Sequence, residues 1–263
     1  MIPAVSVAQM RAVDRLMIEE IEISLAQMME NAGRALAAHA RQLLGGDVRG
    51  RRIVVLAGSG GNGGGGLAAA RRLSIWGADV WVLLGQEAEA VQGVPAQQLA
   101  ILRNMGEVPI HSPGQAGADA ETLGRAALLL DALIGYSLRG APREPIASVI
   151  RATNAAGPPV LALDLPSGLD GDAGTPAEPT IRATATLTLA LPKVGLLKPE
   201  AQRWVGALHV ADISVPEVVY RRLGLRVGPI FARSDIVHVT DAEVICAQPL
   251  EKVKVPARSG SYP

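Results

Sequence analysis

The feature of this sequence that most constrains its fold is an alternation of short apolar runs with amphipathic stretches after residue 50. Five runs are aliphatic and bounded by glycine, proline or polar residues, as buried strands are: residues 52–57, 79–84, 126–130, 159–163 and 184–189. Three stretches between them carry apolar residues at helical spacing: residues 67–76, 96–105 and 146–155. Strands that alternate with helices indicate βα units around a parallel sheet. We therefore predict a doubly wound α/β fold, a Rossmann-like three-layer αβα sandwich with a mostly parallel sheet.

A further helix is predicted before the first strand. Ser24 and Gln27 have the spacing of a capping box at a helix N-terminus. The helix carries Met28 and Met29, which we expect to pack in the core because methionine commonly fills irregular gaps.

The periodicity weakens toward the end of the chain, from about Gly224 onward. We predict one domain over residues 1–225, followed by an edge segment and a tail or linker over residues 226–263. Length is only a soft guide to the number of domains, so this division rests on the change in pattern.

Composition excludes several classes of function. Lys and Arg together number 25, Asp and Glu together also number 25, and aromatic residues make up 3% of the chain. The basic and stacking surfaces of nucleic-acid-binding proteins are therefore missing. The single cysteine, Cys246, excludes an internal disulfide and fits a reducing compartment. Neither an apolar run of about 18 residues nor a signal-peptide pattern is present. We expect a cytoplasmic protein that binds neither nucleic acid nor membranes. We expect no zinc site, because the four histidines lack metal-ligand spacing: His39, His111, His209 and His238.

Seven glycines fall between Gly58 and Gly66, directly after a predicted strand and before the helix predicted to begin near Leu67. Such a loop lets backbone N–H groups approach an anion at a helix N-terminus, which favours a phosphate or nucleotide contact over an empty turn. A dehydrogenase fingerprint would also need an acidic residue at the end of the second strand. Asp79 stands at the start of that strand instead, which weakens the hypothesis of an NAD-dependent dehydrogenase.

Two further predicted strands end in a carboxylate, Asp131 and Asp164. Each could cap a helix or form a turn, but two carboxylates beside a glycine loop at one sheet edge favour a ligand site. Asp, Asn and Ser oxygens at that edge would suit a hard cation. Lys193 follows another apolar run, and the sequence favours a solvated loop lysine there over a catalytic one.

Four motifs occur in an order that resembles the YjeF N-terminal domain family, the NAD(P)H-hydrate epimerases. They are Met-Met-Glu-Asn-Ala-Gly at residues 28–33, the glycine loop, Asp-Ala-Leu-Ile-Gly at 131–135 followed by residues 139–145, and Asp-Leu-Pro-Ser-Gly-Leu-Asp at 164–170. The resemblance covers roughly residues 7–220. It implies an isomerase that interconverts the R and S epimers of hydrated NADH and NADPH, damaged cofactors with a hydroxyl on the nicotinamide ring.

The resemblance also implies roles for particular residues. A potassium ion would be held by Asn62, Asp131 and Ser167, and Asp164 would be the general acid and base, with Lys193 as a helper. The substrate would be bound by Gly61, Asn62, Gly63, Gly64, Gly65, Gly135, Tyr136, Ser137, Leu138, Arg139, Gly140, Ala141 and Asp164. Family members are commonly dimers, and many bacterial ones are fused to a dehydratase domain. We therefore expect a homodimer with a fused or separate dehydratase as its partner.

The chain departs from the family pattern in the glycine loop. The family reads Asn-Asn-Gly-Gly-Asp-Gly, whereas here Gly61 replaces the first Asn and Gly65 replaces the Asp. Two hypotheses therefore stay open: an epimerase weakened by these substitutions, and a non-catalytic nucleotide-binding or scaffold protein that retained the fold.

Overall fold

A computed structural model of the chain describes residues 2–114, 120–138, 140–239 and 244–246. Its strands are β1 (Ile2–Ala4), β2 (Arg52–Ala57), β3 (Asp79–Leu84), β4 (Ile110–His111), β5 (Leu128–Ala132), β6 (Val160–Leu163), β7 (Ala185–Leu189), β8 (Ala207–Ala211), β9 (Ile236–His238) and β10 (Val244–Cys246). Its helices are α1 (Val7–Glu19), α2 (Leu25–Leu43), α3 (Gly61–Ile75), α4 (Gly93–Met105), α5 (Ala120–Gly124), α6 (Ile146–Ala156), α7 (Gln202–Val205) and α8 (Glu217–Arg222).

Eight strands form one sheet in the order β4-β3-β2-β5-β6-β7-β8-β9. All neighbours are parallel except β8 and β9, which are antiparallel. The chain runs from β2 outward to β3 and β4 and then returns to β5 on the other side of β2. The strand order therefore reverses between β2 and β5, and open α/β proteins bind ligands outside the carboxyl ends of the strands at such a point.

Side chains alternate between two cores along each central strand. In β2, Ile53 and Val55 pack in a cluster with α2, α3 and α4, whereas Val54 and Leu56 pack in a second cluster with α5 and α6. A third cluster joins α1 and α8 to β8. A strand that is buried on both faces is the mark of a parallel sheet between helical layers. The predicted three-layer αβα sandwich is confirmed.

The glycine segment corrects the predicted start of one helix. The helix α3 begins at Gly61 and not near Leu67, so most of the glycines are helical. Glycine is a poor helix former by about 1 kcal/mol per residue, but here tertiary packing demands it. A Cβ at Gly66 would lie 2.6 Å from the Cβ of Ala132 in β5, and one at Gly33 of α2 would lie 2.5 Å from the Cβ of Ala68. Close helix packing on both sides therefore overrides the local propensity.

The other predicted elements lie close to the observed ones. The strand predicted over residues 126–130 is β5, displaced by two residues, so Asp131 lies inside the strand. The capping box of α2 is confirmed, because the Gln27 N–H donates to Ser24 Oγ at 3.3 Å and the Ser24 N–H donates to Gln27 Oε1 at 2.8 Å. Met28 and Met29 are buried, as predicted.

The C-terminal region adds β9 to one edge of the sheet and pairs β10 with β1 in parallel. The predicted boundary at residue 225 stays a prediction, and residues 240–243 and 247–263 lie outside the described part of the chain. Within the described residues, none of the helices combines the length and the apolar character needed to cross a membrane.

Three of the four histidines meet in the fold although they are far apart in sequence. The ring centroid of His209 lies 4.2 Å from that of His39 and 4.8 Å from that of His238. Burial lowers the pKa of His209 to about 4. In the described part of the chain, no group of three or more His, Cys, Asp or Glu side chains is arranged to hold a metal ion. The three rings lie where α2 meets strands β8 and β9.

Candidate active site

The carboxyl ends of β2, β5 and β6 open into a cavity of about 470 Å³. Its walls come from α1, α2, the first turn of α3 and the segment after β5. Most of the wall is apolar, and the titratable side chains that line it, among the described residues, are Asp14, Tyr136, Asp164 and Lys193. An apolar cavity with a few convergent polar groups is the usual form of a small-molecule site.

Asp164 follows β6 directly and has a φ of +68°, a left-handed conformation that aspartate tolerates better than most residues. The N–H of Leu165 donates to the carbonyl of Leu163 at 2.9 Å and closes a tight turn around it. The carboxylate Oδ1 accepts a hydrogen bond from Lys193 Nζ, and Oδ2 lies 3.3 Å from where a Cβ of Gly135 would be. Strained backbone of this kind is concentrated at functional sites.

Lys193 corrects the prediction of a solvated loop lysine. Its exposed fraction is 0%, and besides Asp164 its Nζ donates to the carbonyl of Leu189 at 3.1 Å and to Thr188 Oγ1 at 3.3 Å. The N-terminal segment covers it, because Val5 pairs with Lys193 in a parallel bridge. The sequence could not show this, since the covering residue lies almost 190 positions away.

Asp131 is also fully buried, and its carboxylate accepts hydrogen bonds from Ser167 and Leu133. Ser167 donates to it twice, from Oγ to Oδ1 at 2.6 Å and from its N–H to Oδ2 at 2.8 Å. The N–H of Leu133 donates to Oδ1 at 3.2 Å. No Lys, Arg or His among the described residues forms an ion pair with it, and burial raises the pKa of Asp131 to about 6. The N–H of Ile134, a residue of the cavity wall, donates to Ser167 Oγ at 2.9 Å. Asp131 and Ser167 are therefore hydrogen-bonded to the cavity wall.

In the first turn of α3, some positions have room only for glycine, whereas Gly61 has room for a side chain. A Cβ at Gly63 would lie 1.8 Å from the carbonyl oxygen of Gly58, and one at Gly64 would lie 2.4 Å from Met29 Sδ. At Gly61, in contrast, the nearest atom to an added Cβ is Met29 Cε at 3.8 Å. Gly61 therefore faces open cavity, whereas Gly63 is held by backbone contact.

The predicted site residues fall into three groups. The cavity is lined by Gly61, Asn62, Gly135, Tyr136, Ser137 and Asp164. Three more are buried in α3 behind the wall: Gly63, Gly64 and Gly65. Leu138 and Gly140 line a neighbouring cavity of about 410 Å³, which Tyr136 also lines. Ala141 is exposed, and Arg139 lies outside the described residues.

The three predicted potassium ligands are brought together only in part. Asp131 and Ser167 are in contact, whereas Asn62 lies in the first turn of α3 and its Nδ2 donates to the carbonyl of Leu163 at 3.0 Å. Within the described residues, no hydrogen bond joins Asn62 to either of the other two. The Asn62 oxygen Oδ1 is the atom left for a cation.

Asp14 of α1 lines the cavity, and sequence reasoning missed it. It accepts a hydrogen bond from the hydroxyl of Tyr136, and burial raises its pKa. A signal was present in the sequence, because Met10, Asp14 and Met17 fall on one helical face at a spacing of four and three residues. A carboxylate on an otherwise apolar face of an amphipathic helix is uncommon unless it has a partner or a function.

Comparisons with known proteins identify the family to which the chain belongs. The family described as YjeF-related protein N-terminus matches residues 25–195. The chain is 45% identical to the NAD(P)H-hydrate epimerase of Dehalogenimonas lykanthroporepellens, over 86% of this chain and 87% of that protein. It is 34% identical to the NAD(P)H-hydrate epimerase of Rhodopirellula baltica, over 85% of this chain and 89% of that protein.

Two further comparisons bear on the fold and on domain organisation. The chain is 37% identical to the bifunctional NAD(P)H-hydrate repair enzyme Nnr of Moorella thermoacetica over 81% of its own length, but it spans only 41% of that enzyme. The crystal structure of the yeast protein YNL200c superposes with a TM-score of 0.77 at 25% identity, over 90% of this chain and 99% of that one. The family match covers well over half of the chain, so the chain belongs to the YjeF-related N-terminal domain family.

Proposed function

We propose that this chain is an isomerase that interconverts the R and S forms of hydrated NADH and NADPH, and so takes part in the repair of nicotinamide cofactors. The observation that carries the proposal is the buried pair of Asp164 and Lys193, which faces a cavity at the carboxyl edge of the sheet. The relatives named NAD(P)H-hydrate epimerase support the choice of substrate.

The hydrated ring has a carbon that carries both the hydroxyl and the ring nitrogen. Inversion there begins when the hydroxyl oxygen gains a proton and the C–O bond breaks, with the lone pair of the nitrogen stabilising the cation that forms. Asp164, in its protonated form, is the acid placed to donate that proton. Lys193 Nζ donates a hydrogen bond to Oδ1 of the same group, and its positive charge stabilises the carboxylate that is left after the transfer.

The first turn of α3 suits the pyrophosphate of the cofactor. The first backbone bond within the helix runs from the Gly64 N–H to the Gly60 carbonyl at 3.1 Å. The N–H groups of Gly61, Asn62 and Gly63 precede it, and such groups have no acceptor inside their own helix. The helix is 15 residues long, and the N-terminus of a helix favours an anion.

We also propose that a potassium ion binds beside Asp131, Ser167 and Asn62. The residues fit such an ion, because a fully buried carboxylate without a cationic side chain is costly unless a cation or a proton neutralises it. Carboxylate, hydroxyl and amide oxygens are the donors that a hard cation prefers. Potassium chemistry here would be structural: the ion would supply positive charge behind the wall that Ile134 and Leu133 form.

A dehydratase that removes water from one epimer would consume the product of this reaction. The bifunctional relatives support that pairing, since they are named repair enzymes and are more than twice as long as the aligned part of this chain.

A second candidate function is ligand binding without catalysis, and the loop glycines favour it. Gly61 and Gly65 stand where the family carries Asn and Asp. The structure separates the two positions. A side chain at Gly61 would enter open cavity, whereas a Cβ at Gly65 would lie 3.0 Å from Leu163 Cδ2 and 3.5 Å from the Cβ of Ala32.

The deciding experiment measures conversion of purified R hydrate of NADPH to the S hydrate by chromatography, with the uncatalysed rate subtracted. Conversion well above that rate establishes the enzyme. No conversion, together with tight binding of NADP⁺, would favour the binding protein.

Two single variants sharpen the result. Gly61→Asn should fold normally and raise turnover if the missing amide is what weakens the enzyme. Gly65→Asp should lower the melting temperature, because Leu163 must move to admit it. Each variant is compared with the parent at equal folded fraction, so that a stability change is not mistaken for a change in catalysis.

A further inference from the structure

Inversion of a stereocentre needs proton transfer on both faces of the ring, which one acid and base on a single face does not provide. The hydroxyl leaves from one face of the ring and water must return to the opposite face, where a group has to take its proton. Asp164 and Lys193 contact each other, so they form one proton-transfer unit on one side of the bound ring. A second unit is therefore needed elsewhere in the cavity.

Among the described residues, one other pair that lines the cavity is able to do this. Of the residues that line it, the titratable ones are Asp14, Tyr136, Asp164 and Lys193. Removing the Asp164 unit leaves Asp14 and Tyr136, which are joined by a hydrogen bond from the tyrosine hydroxyl to Asp14 Oδ2. The two units come from different layers of the fold, since Asp14 lies on α1 and Asp164 follows β6.

The surroundings of Asp14 suit proton transfer. The described side chains give it one hydrogen-bond donor, Tyr136, so its other oxygen, Oδ1, remains for a water molecule in the cavity. Burial raises the pKa of Asp14, and the nearby charge of Asp164 raises it further, while Tyr136 and Lys193 oppose this. A carboxylate shifted toward neutrality exchanges protons efficiently at physiological pH.

We infer that Asp14 is a second catalytic residue, which takes the proton from the water that returns to the face opposite Asp164, and that Tyr136 is a positioning residue that holds Asp14. The inference rests on the proposed function. In the step, water adds its oxygen to the ring cation and its proton passes to Asp14. Because Asp164 gave up one proton when the hydroxyl left, the two transfers cancel once both carboxylates equilibrate with solvent. No oxidant, reductant or further reactant is needed.

The step predicts a signature that a structural role for Asp14 would not produce. In water enriched in oxygen-18, the parent protein should incorporate solvent oxygen while it inverts the centre. In Asp14→Asn, water can still leave and return on the face that Asp164 serves. This variant should therefore exchange the hydroxyl oxygen of one epimer with retention, while inversion falls by about 10² or more.

The test compares the parent with Asp14→Asn, Tyr136→Phe and Glu19→Gln, the last being an exposed position on the same helix. Hydrated NADPH is the substrate, and mass spectrometry of the separated epimers reads out inversion and exchange. Tyr136→Phe should lower kcat about tenfold at nearly constant KM, because Asp14 remains present but less well oriented. Glu19→Gln should match the parent.

Three outcomes would overturn the inference: inversion by Asp14→Asn within about threefold of the parent, loss of exchange in both epimers together with loss of inversion, or parent kinetics in Tyr136→Phe. The tyrosine variant decides the matter if Asp14→Asn does not fold. A parent protein that neither inverts nor exchanges would instead overturn the proposed function, and that result is read from the parent alone.

Discussion

Two carboxylates stand at the ends of neighbouring parallel strands, Asp131 in β5 and Asp164 just after β6, and the exposed fractions of these residues are 0% and 3%. Their surroundings differ in one respect. Asp164 has the ammonium group of Lys193 beside it, whereas the partners of Asp131 in the described part of the chain are the hydrogen-bond donors of Ser167 and Leu133. Lys193 neutralises the first carboxylate, whereas no side chain among the described residues neutralises the second.

The difference separates two tasks that similar positions in a sheet can perform. Asp164 faces the cavity beside the ammonium group of Lys193, whose charge stabilises the carboxylate that remains after a proton has passed to a ligand. Asp131 lies behind the cavity wall. It accepts hydrogen bonds from Ser167, and Ser167 Oγ in turn accepts one from the N–H of Ile134. Asp131 is therefore linked to the cavity wall through Ser167.

The largest expected effect is on catalysis. Asp164→Asn keeps the size of the side chain but removes its ability to transfer a proton, so turnover should fall by about 10² to 10⁴ while NADP⁺ binding persists. Asp131→Asn, the matched change on the neighbouring strand, should lower turnover by less than about tenfold. Steady-state kinetics and a binding titration check both values. Similar losses of turnover in the two variants would contradict the assignment of proton transfer to Asp164 and not to Asp131.

The next largest expected effect is on the free energy of unfolding, and it concerns Lys193, the cation beside Asp164. Lys193→Met leaves Asp164 buried without its partner and should cost about 3–5 kcal/mol in free energy of unfolding. The double variant Lys193→Met with Asp164→Asn should recover most of that loss, because no unpaired charge is left. Urea titrations of the three chains measure this. If the single and double variants were equally unstable, packing of the lysine chain would explain the cost and the ion pair would not.

A pH dependence is expected from Asp131. Its pKa is raised from 3.8 to about 6 in the folded chain, so the folded state binds the proton more tightly than the unfolded state does. The stabilisation is complete below pH 3.8 and is lost as the pH rises to about 6, by about 3 kcal/mol in potassium-free buffer. Asp131→Asn should lack this part of the pH dependence. Identical profiles for the two chains between pH 4 and 6 would contradict the assignment.

The smallest expected effect is that of the cation itself. A ligand at ten times its Kd stabilises the folded state by about 1.4 kcal/mol, which is a rise of about 2–4 °C in Tm for a chain of this size. Potassium should produce that rise over sodium at matched ionic strength near pH 7. Asp131→Asn should abolish it and Lys193→Met should retain it. Equal melting temperatures in both salts would leave Asp131 without an ionic partner.

Much of this fold could be predicted from local pattern, because strands buried on both faces have continuous apolar runs and their ends are marked by polar residues. The start of α3 could not, since Gly61 to Gly66 are helical only because β5 and α2 pack closely against them. The family resemblance, carried by ordered motifs, predicted functional roles for Asp131, Ser167 and Asp164 from the sequence. Asp14 lay outside those motifs and was missed.

By itself the sequence determined the βα order, the cap of α2, and which residues stand at the carboxyl ends of the strands. These are properties of neighbouring residues, and hydrophobic periodicity records them directly. Only the tertiary structure decided that Lys193 is buried against Asp164, that Asp131 has no such cation among the residues the structure describes, and that Asp14 reaches the same cavity from α1. Each of those facts depends on a contact between segments far apart in the chain. The charge state of a buried group is set by what surrounds it in space.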